Sequence, residues 1–171
     1  MIRTIRARAA AVGAALAALA LSAGAAPETF TGTVTWVSDG DTLWVAPEAG
    51  GPPRKLRVDG IDAPEICQAG GEASRAALAV RALRRPVQVE VRRQDDYGRG
   101  LARIRVGGAD LGAEMVRAGQ AWSHRWRHNP GPYAEQEAAA RRARRGLFAD
   151  PQAELPRAFR KRHGSCHEER G

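Results

Sequence analysis

The sequence predicts an α+β fold built around one small antiparallel barrel. Three observations support this. Strand-type alternation dominates the first sixty residues after the leader, helical spacing takes over later, and the two are separated by Gly, Pro and Asp turns. The chain has 171 residues, of which 43% are hydrophobic and 27% charged, enough for one domain with a real core and unlike a disordered chain.

The first strand is read at residues 30–37, with Phe30, Gly32, Val34 and Trp36 on one side and Thr31, Thr33, Thr35 and Val37 on the other. Asp39-Gly40 makes a turn into a second strand, Thr42 to Val45, and an exposed Gly/Pro-rich loop, Pro47 to Pro53, leads to a third, Arg54 to Ile61. Leu56 and Val58 share one face of that strand, and Lys55, Arg57 and Asp59 the other. A helix from Glu72 to Arg84 is expected to bury Ala76, Val80 and Leu83, with Pro86 ending it. Val87, Val89 and Val91 mark a fourth strand. The turn Asp95-Asp96-Tyr97-Gly98 precedes a fifth, with Ala102, Ile104 and Val106 on one face. Asp110 caps a second helix running to Ala118, with Gly119 after it. A third helix spans Pro132 to Arg145. Its arginines lie near the negative end, and Gly146 stops it. The tail from Asp150 is polar and basic and is expected to be loosely ordered.

Residues 1–25 read as a secretory signal peptide rather than part of the fold. Arg3, Arg6 and Arg8 precede the apolar run Ala9 to Leu21 and the small-residue stretch Ser22-Ala23-Gly24-Ala25. Cleavage is placed after Ala25, with Ala26 as second choice; an uncleaved anchor is the alternative, although the apolar run is short of the ~18 residues a span needs. The expected organisation is therefore a leader, a domain over residues 26–150 and a tail over 151–171, secreted or periplasmic and without membrane attachment once processed. Two cysteines are too few for a disulfide scaffold or a four-thiolate zinc site, but in an oxidising compartment Cys67 and Cys166 are candidates to pair. The net charge is +8. Loss of the leader removes three arginines and no acid, leaving +5, an excess that favours a polyanionic partner, either nucleic acid or an anionic membrane surface.

The chemistry sits in three acidic clusters and two arginines. The clusters are Asp39-Gly40-Asp41-Thr42, Asp59-Gly60-Ile61-Asp62-Ala63-Pro64-Glu65 and Asp95-Asp96, each alone compatible with ordinary turn chemistry. Together they place Asp41 and Asp62 at the ends of adjacent strands, where their oxygens suit a hard divalent cation completed by water and a backbone carbonyl. Arg57 lies on the strand leading to Asp62. Arg99 lies between two glycines that leave its guanidinium free to reach out. A cation, two guanidinium groups and a spare carboxylate such as Glu65 form a kit for phosphodiester hydrolysis. His124 and His128, and His163 and His167, are each four apart, but Asn129-Pro130 argues against a regular helix at the first pair, and no spacing fixes a zinc site.

The order Asp-Gly-Asp-Thr, Arg-x4-Asp-x-Pro-Glu, Asp-x-Tyr-Gly-Arg, then a helix with Leu111, Val116 and Arg117, resembles the staphylococcal (micrococcal) nuclease family from about Val34 to Phe148. The resemblance implies a five-stranded OB-fold barrel with three helices. It also implies a Ca²⁺-dependent endonuclease that cleaves DNA and RNA and leaves 3′-phosphates. It makes Asp41 and Asp62 the metal-binding carboxylates, with the carbonyl of Ala63, and Asp39 and Thr42 the residues behind them. Arg57 and Arg99 become the phosphate-binding catalytic arginines, Glu65 the general base and Tyr97 an aromatic near the nucleotide. Ala63 stands where the family often has Thr, and Asp96 where it often has Lys. The family's pocket tyrosines have no clean match; Trp126 or Arg127 are the residues there to stack on or bind a nucleotide. Core packing is the competing role for Trp122 and Trp126. The alternative function is a nucleic-acid-binding barrel without catalysis, again expected as a monomer. Such a binder has no need of Glu65 beside both arginines.

Overall fold

The structure, a computed structural model, describes residues 27–164 and 166; the expected signal peptide and His167 lie outside the described residues. The strands are β1 (Glu28–Val37), β2 (Thr42–Pro47), β3 (Arg54–Val58), the short β4 (Ile61–Asp62), β5 (Pro86–Gln94), β6 (Gly100–Val106), the short β7 (Ala109–Asp110) and the short β8 (Trp122–Ser123). The helices are α1 (Gly71–Ala82), α2 (Leu111–Arg117), α3 (Ala134–Arg142) and α4 (Pro156–His163), with a 3₁₀ turn at Gly146–Ala149. β3, β2, β1, β5 and β6 pair in that order, and β3 pairs with β6 to close a five-stranded barrel of the OB type.

All these pairings are antiparallel except the closure, where Leu56, Arg57 and Val58 of β3 run parallel to Gly100, Leu101 and Ala102 of β6. The barrel is therefore mixed rather than purely antiparallel. The third strand also ends at Val58, sooner than its β-type composition suggests, because Asp59-Gly60 turns the chain into β4, which pairs with β8.

The expected alternation along β1 fails at its end. The register against β2 shifts between Val34 and Trp36, and this bulge turns Trp36 outward (53% exposed) while Val37 goes into the core. The buried face of the first helix also differs from the expected one. Ala76 and Val80 are exposed and Leu83 lies at the rim; α1 instead buries Gly71, Ser74, Leu78 and Ala82. The stripe that packs is the one small enough for the helix to come close. A Cβ on Gly40 would meet the Ser74 Oγ at 1.9 Å, and one on Gly71 would meet the Glu65 carbonyl oxygen at 2.0 Å. The glycine in Asp39-Gly40-Asp41 is thus required by close approach to α1.

The main core joins Val34, Leu43, Val45, Leu56, Val58, Val89 and Ile104 of the barrel to Leu78 of α1 and to Leu111, Met115 and Val116 of α2. Trp122, Ala140 and Phe148 form a second cluster, with the Trp122 and Phe148 rings edge-on at 5.9 Å, so Trp122 takes its packing role. Two further corrections concern the C-terminal half. The third helix starts at Ala134 and ends at Arg142, and within the basic tail Pro156–His163 form a fourth helix opened by Pro156.

Asp110 caps α2 as expected, its Oδ1 accepting from the Ala113 N–H at 3.0 Å, and the same oxygen accepts from the Tyr133 hydroxyl at 2.9 Å. Burial and the Asp110 charge push the Tyr133 hydroxyl up to about 12. The unfolded chain therefore releases this proton near pH 10 while the folded chain still holds it. Stability is fully present below pH 10 and falls as the pH rises toward 12. Melting curves across that interval should show the decline in the wild type and a flatter profile in Tyr133→Phe. Parallel profiles would contradict it.

Candidate active site

The site is assembled by strand register. Asp41 ends the turn that opens β2. Its backbone N–H donates to the Asp39 Oδ1 at 2.9 Å, and the Ser38 N–H donates to the Thr42 carbonyl at 2.9 Å. Thr42 pairs directly with Arg57 across β2 and β3, so Asp41 and Arg57 are brought together by the sheet itself. The β3–β6 closure then places Gly100 beside Leu56, which delivers Arg99, at the end of the β5–β6 turn, to the same edge of the barrel. Asp62 comes from β4, held by its pairing with Trp122, and Ala63 follows it, donating from its backbone N–H to the Asp41 Oδ2 at 3.0 Å.

Arg57 is the hub. One Nη donates to the Asp41 Oδ1 at 2.7 Å; the other donates to the Asp62 Oδ1 at 3.1 Å and the Ile61 carbonyl at 3.3 Å. Thr42 Oγ1 donates to the same Asp41 Oδ1 at 3.1 Å. Both aspartates are buried, at 3% and 8% exposure. Burial opposes the charge on Arg57, but Asp41, Asp62 and Asp39 around it more than offset that cost and hold its pKa above the ordinary guanidinium value. Burial and the adjacent Asp41 push the Asp39 carboxyl up to about 7, and the same two causes raise Asp62 despite the opposing guanidinium groups of Arg57 and Arg160. Like charges are thus crowded around one guanidinium, the kind of perturbed cluster that marks a candidate functional site.

A cavity of about 370 Å³ opens on this cluster. It is lined by Asp39, Asp41, Arg57, Ala63, Glu65, Tyr97 and Arg99, together with Lys55, Pro64, Arg160 and Cys166. The structure therefore brings together most of the residues expected from the sequence. Arg99 is more restrained than the flanking glycines suggested: its Nε donates to the Asp95 Oδ2 at 2.7 Å and its backbone N–H to the Asp95 Oδ1 at 2.9 Å. Burial works against the Asp95 charge, but these bonds and the Arg99 charge outweigh it and hold its carboxyl below the usual range. The guanidinium lies over the Tyr97 ring at 5.3 Å, and Tyr97 is 81% exposed rather than packed in its turn. Trp126 and Arg127 do not line the cavity; Trp126 is exposed in a loop bridged to Asn129, so neither takes the position expected of a pocket residue. Asp59 faces Arg92 and Arg93 and stands apart from the cluster.

Sequence reasoning missed Arg160. Its Nη1 donates to the Glu65 Oε1 at 2.7 Å, and its fork reaches both Asp62 oxygens at 3.3 Å. It also did not settle the cysteines: Cys67 and Cys166 are joined in a disulfide, with Cα atoms 5.9 Å apart. Among the described residues no group of three or more His, Cys, Asp and Glu side chains forms a ready-made metal cage. The available donors are the two aspartates, which share one guanidinium, with a backbone carbonyl and water to complete them. Oxygen donors of this kind fit Ca²⁺, which tolerates an irregular shell.

Arg57 also carries a stability prediction. Arg57→Ala leaves buried carboxylates without their shared partner, at a cost of about 3 kcal/mol at pH 7. The deficit should shrink toward pH 4 as Asp62, whose carboxyl burial and Asp41 already push up, takes up its proton, which urea denaturation at the two pH values measures. An equal deficit at both would contradict the coupling.

Comparisons with known proteins bear on the family. The family model for "Staphylococcal nuclease homologue" matches residues 55–150. The chain is 36% identical over 143 residues to a micrococcal nuclease of Shigella flexneri, covering 77% of this chain and 81% of that protein. It is 35% identical over 169 residues to protein ParB of Escherichia coli, covering 91% and 93%, and 33% identical over 129 residues to an uncharacterized endonuclease of Haemophilus influenzae, covering 75% and 71%. With the barrel, the order of the motifs and the match across more than half of its length all in accord, the chain belongs to the staphylococcal nuclease family.

Proposed function

We propose that the protein is a Ca²⁺-dependent endonuclease that hydrolyses phosphodiester bonds in DNA and RNA and leaves 3′-phosphates. The observation that carries this reading is the convergence of Arg57, Arg99 and Glu65 on one cavity with Asp41, while Asp62 is tied to the same cluster through Arg57. Asp41, Asp62 and the Ala63 carbonyl would hold the cation. Bound there, it supplies positive charge beside the phosphorus as negative charge builds in the transition state.

The protein's own groups do the rest. Arg57, anchored by three acceptors, presents a preorganised cation that need not reorient during reaction. Arg99, steadied through Nε and the backbone by Asp95, adds a second guanidinium to the same cavity. Glu65 takes the proton of the attacking water. Thr42 and Asp39 hold the Asp41 carboxylate and its turn in place. Tyr97 offers an exposed ring at the mouth for a base. The leader at residues 1–25 favours export, where the Cys67–Cys166 disulfide is stable, and we infer a monomer. No helix among the described residues is long and apolar enough to cross a membrane.

Release of acid-soluble nucleotides from denatured DNA should require millimolar Ca²⁺ and stop with EGTA. Arg57→Ala and Arg99→Ala should each lose about 10²–10³-fold in rate or more, and Glu65→Ala should be strongly impaired. Salt-dependent binding of DNA without cleavage by folded protein would instead mark a binding barrel.

A further inference from the structure

The C-terminal segment is built into the catalytic cavity. Arg160 of helix α4 lies 95 residues beyond Glu65 in sequence, yet it touches Glu65 and Asp62 and lines the cavity with Arg57 and Arg99. Two devices hold it there. The Cys67–Cys166 disulfide joins the residue just past α4 to the loop that carries Glu65. Gln68 bridges the same two segments: its Oε1 accepts from the Glu65 N–H at 3.2 Å, and its Nε2 donates to the Glu154 carbonyl at 2.6 Å. Arg162, two residues on, faces Glu154 instead. Delivery into the site is therefore specific to Arg160 and is not a general consequence of a basic helix.

The charge balance of the cavity gives this arginine its use. Asp39, Asp41, Asp62 and Glu65 would repel an incoming phosphodiester. Of the other cations lining the cavity, Arg57 is committed to Asp41 and Asp62, Arg99 is shared with Asp95, and Lys55 lies over the Trp44 ring at 5.9 Å. Both partners of Arg160 have other work in the proposed reaction, Asp62 toward a cation and Glu65 toward water. We propose that Arg160 is a third guanidinium of the active site: it sits on Asp62 and Glu65 before substrate binds and turns to a non-bridging oxygen of the substrate phosphate during reaction, with the Cys67–Cys166 disulfide keeping it within reach. The proposal rests on the nuclease reading above and adds to it a substrate-binding residue.

The signature is two-sided. Arg160→Ala should lower kcat/KM on denatured DNA about 10²-fold. In calorimetric titration without substrate, it should bind Ca²⁺ several-fold more tightly than the wild type, because a competitor for Asp62 is gone. Arg160→Lys should recover part of the rate, since it keeps the charge but loses the fork. The Cys67→Ser/Cys166→Ser pair should shift both readouts the same way and add little to Arg160→Ala. Arg162→Ala should change neither, and melting curves confirm that each variant is folded. Wild-type values of both quantities in Arg160→Ala would overturn the proposal. So would tighter Ca²⁺ binding with faster turnover, which would make Arg160 a plug. An inactive wild type would instead overturn the nuclease reading itself.

Discussion

A single guanidinium shared by two buried carboxylates is the constraint on which the site depends. Asp41 and Asp62 come from separate segments, and each is costly to bury as an ion. Arg57 meets both, and its own place is set by the pairing of β2 with β3. The barrel thus holds together charges that would separate in a looser scaffold. The surviving strain shows in Asp39 and Asp62, whose carboxyls are pushed up by burial and by Asp41. Positions that crowd acids in this way are suited to a ligand that relieves the crowding, and a hard divalent cation does so.

The same geometry explains how a small barrel serves a phosphodiester hydrolase. The β3–β6 closure brings two arginines to one edge, and α1, packed hard against Gly40 and the Glu65 loop, fixes the segments that carry Asp41 and Glu65. Arg57 is held by the acids themselves and Arg99 by its own turn. Both are therefore oriented before substrate arrives, which is where electrostatic catalysis gains most. The C-terminal helix, covalently tied to the Glu65 loop, belongs to this same architecture.

Much of this was legible in the sequence, and the failures have physical causes. The aspartate and arginine motifs are local, each lying within a few residues of a turn or strand end, so they announce the site directly. The parallel β3–β6 closure is not local: nothing within Arg54–Val58 or Gly100–Val106 encodes which strand the other will meet. The bulge in β1 is one residue of register, invisible to an alternation pattern, and it reversed Trp36 and Val37. In α1 the apolar residues marked the wrong face, because closeness of approach selected Gly71, Ser74 and Ala82 over Val80. The tail looked loose because it is short, basic and poor in apolar residues. The helix Pro156–His163 is held by a disulfide and by acids about a hundred residues earlier, which no local pattern reveals.

The central claim is that Asp41 and Asp62 form one cation site within the arginine cluster. Its most direct test is calorimetric titration of Ca²⁺ into the metal-free wild type and into Asp41→Asn, a change that keeps the shape of the side chain and removes its charge. One ion bound by the wild type, and none at millimolar concentration by the variant, is the expected result. Indistinguishable titrations would contradict it, because the cation would then bind somewhere other than between these carboxylates.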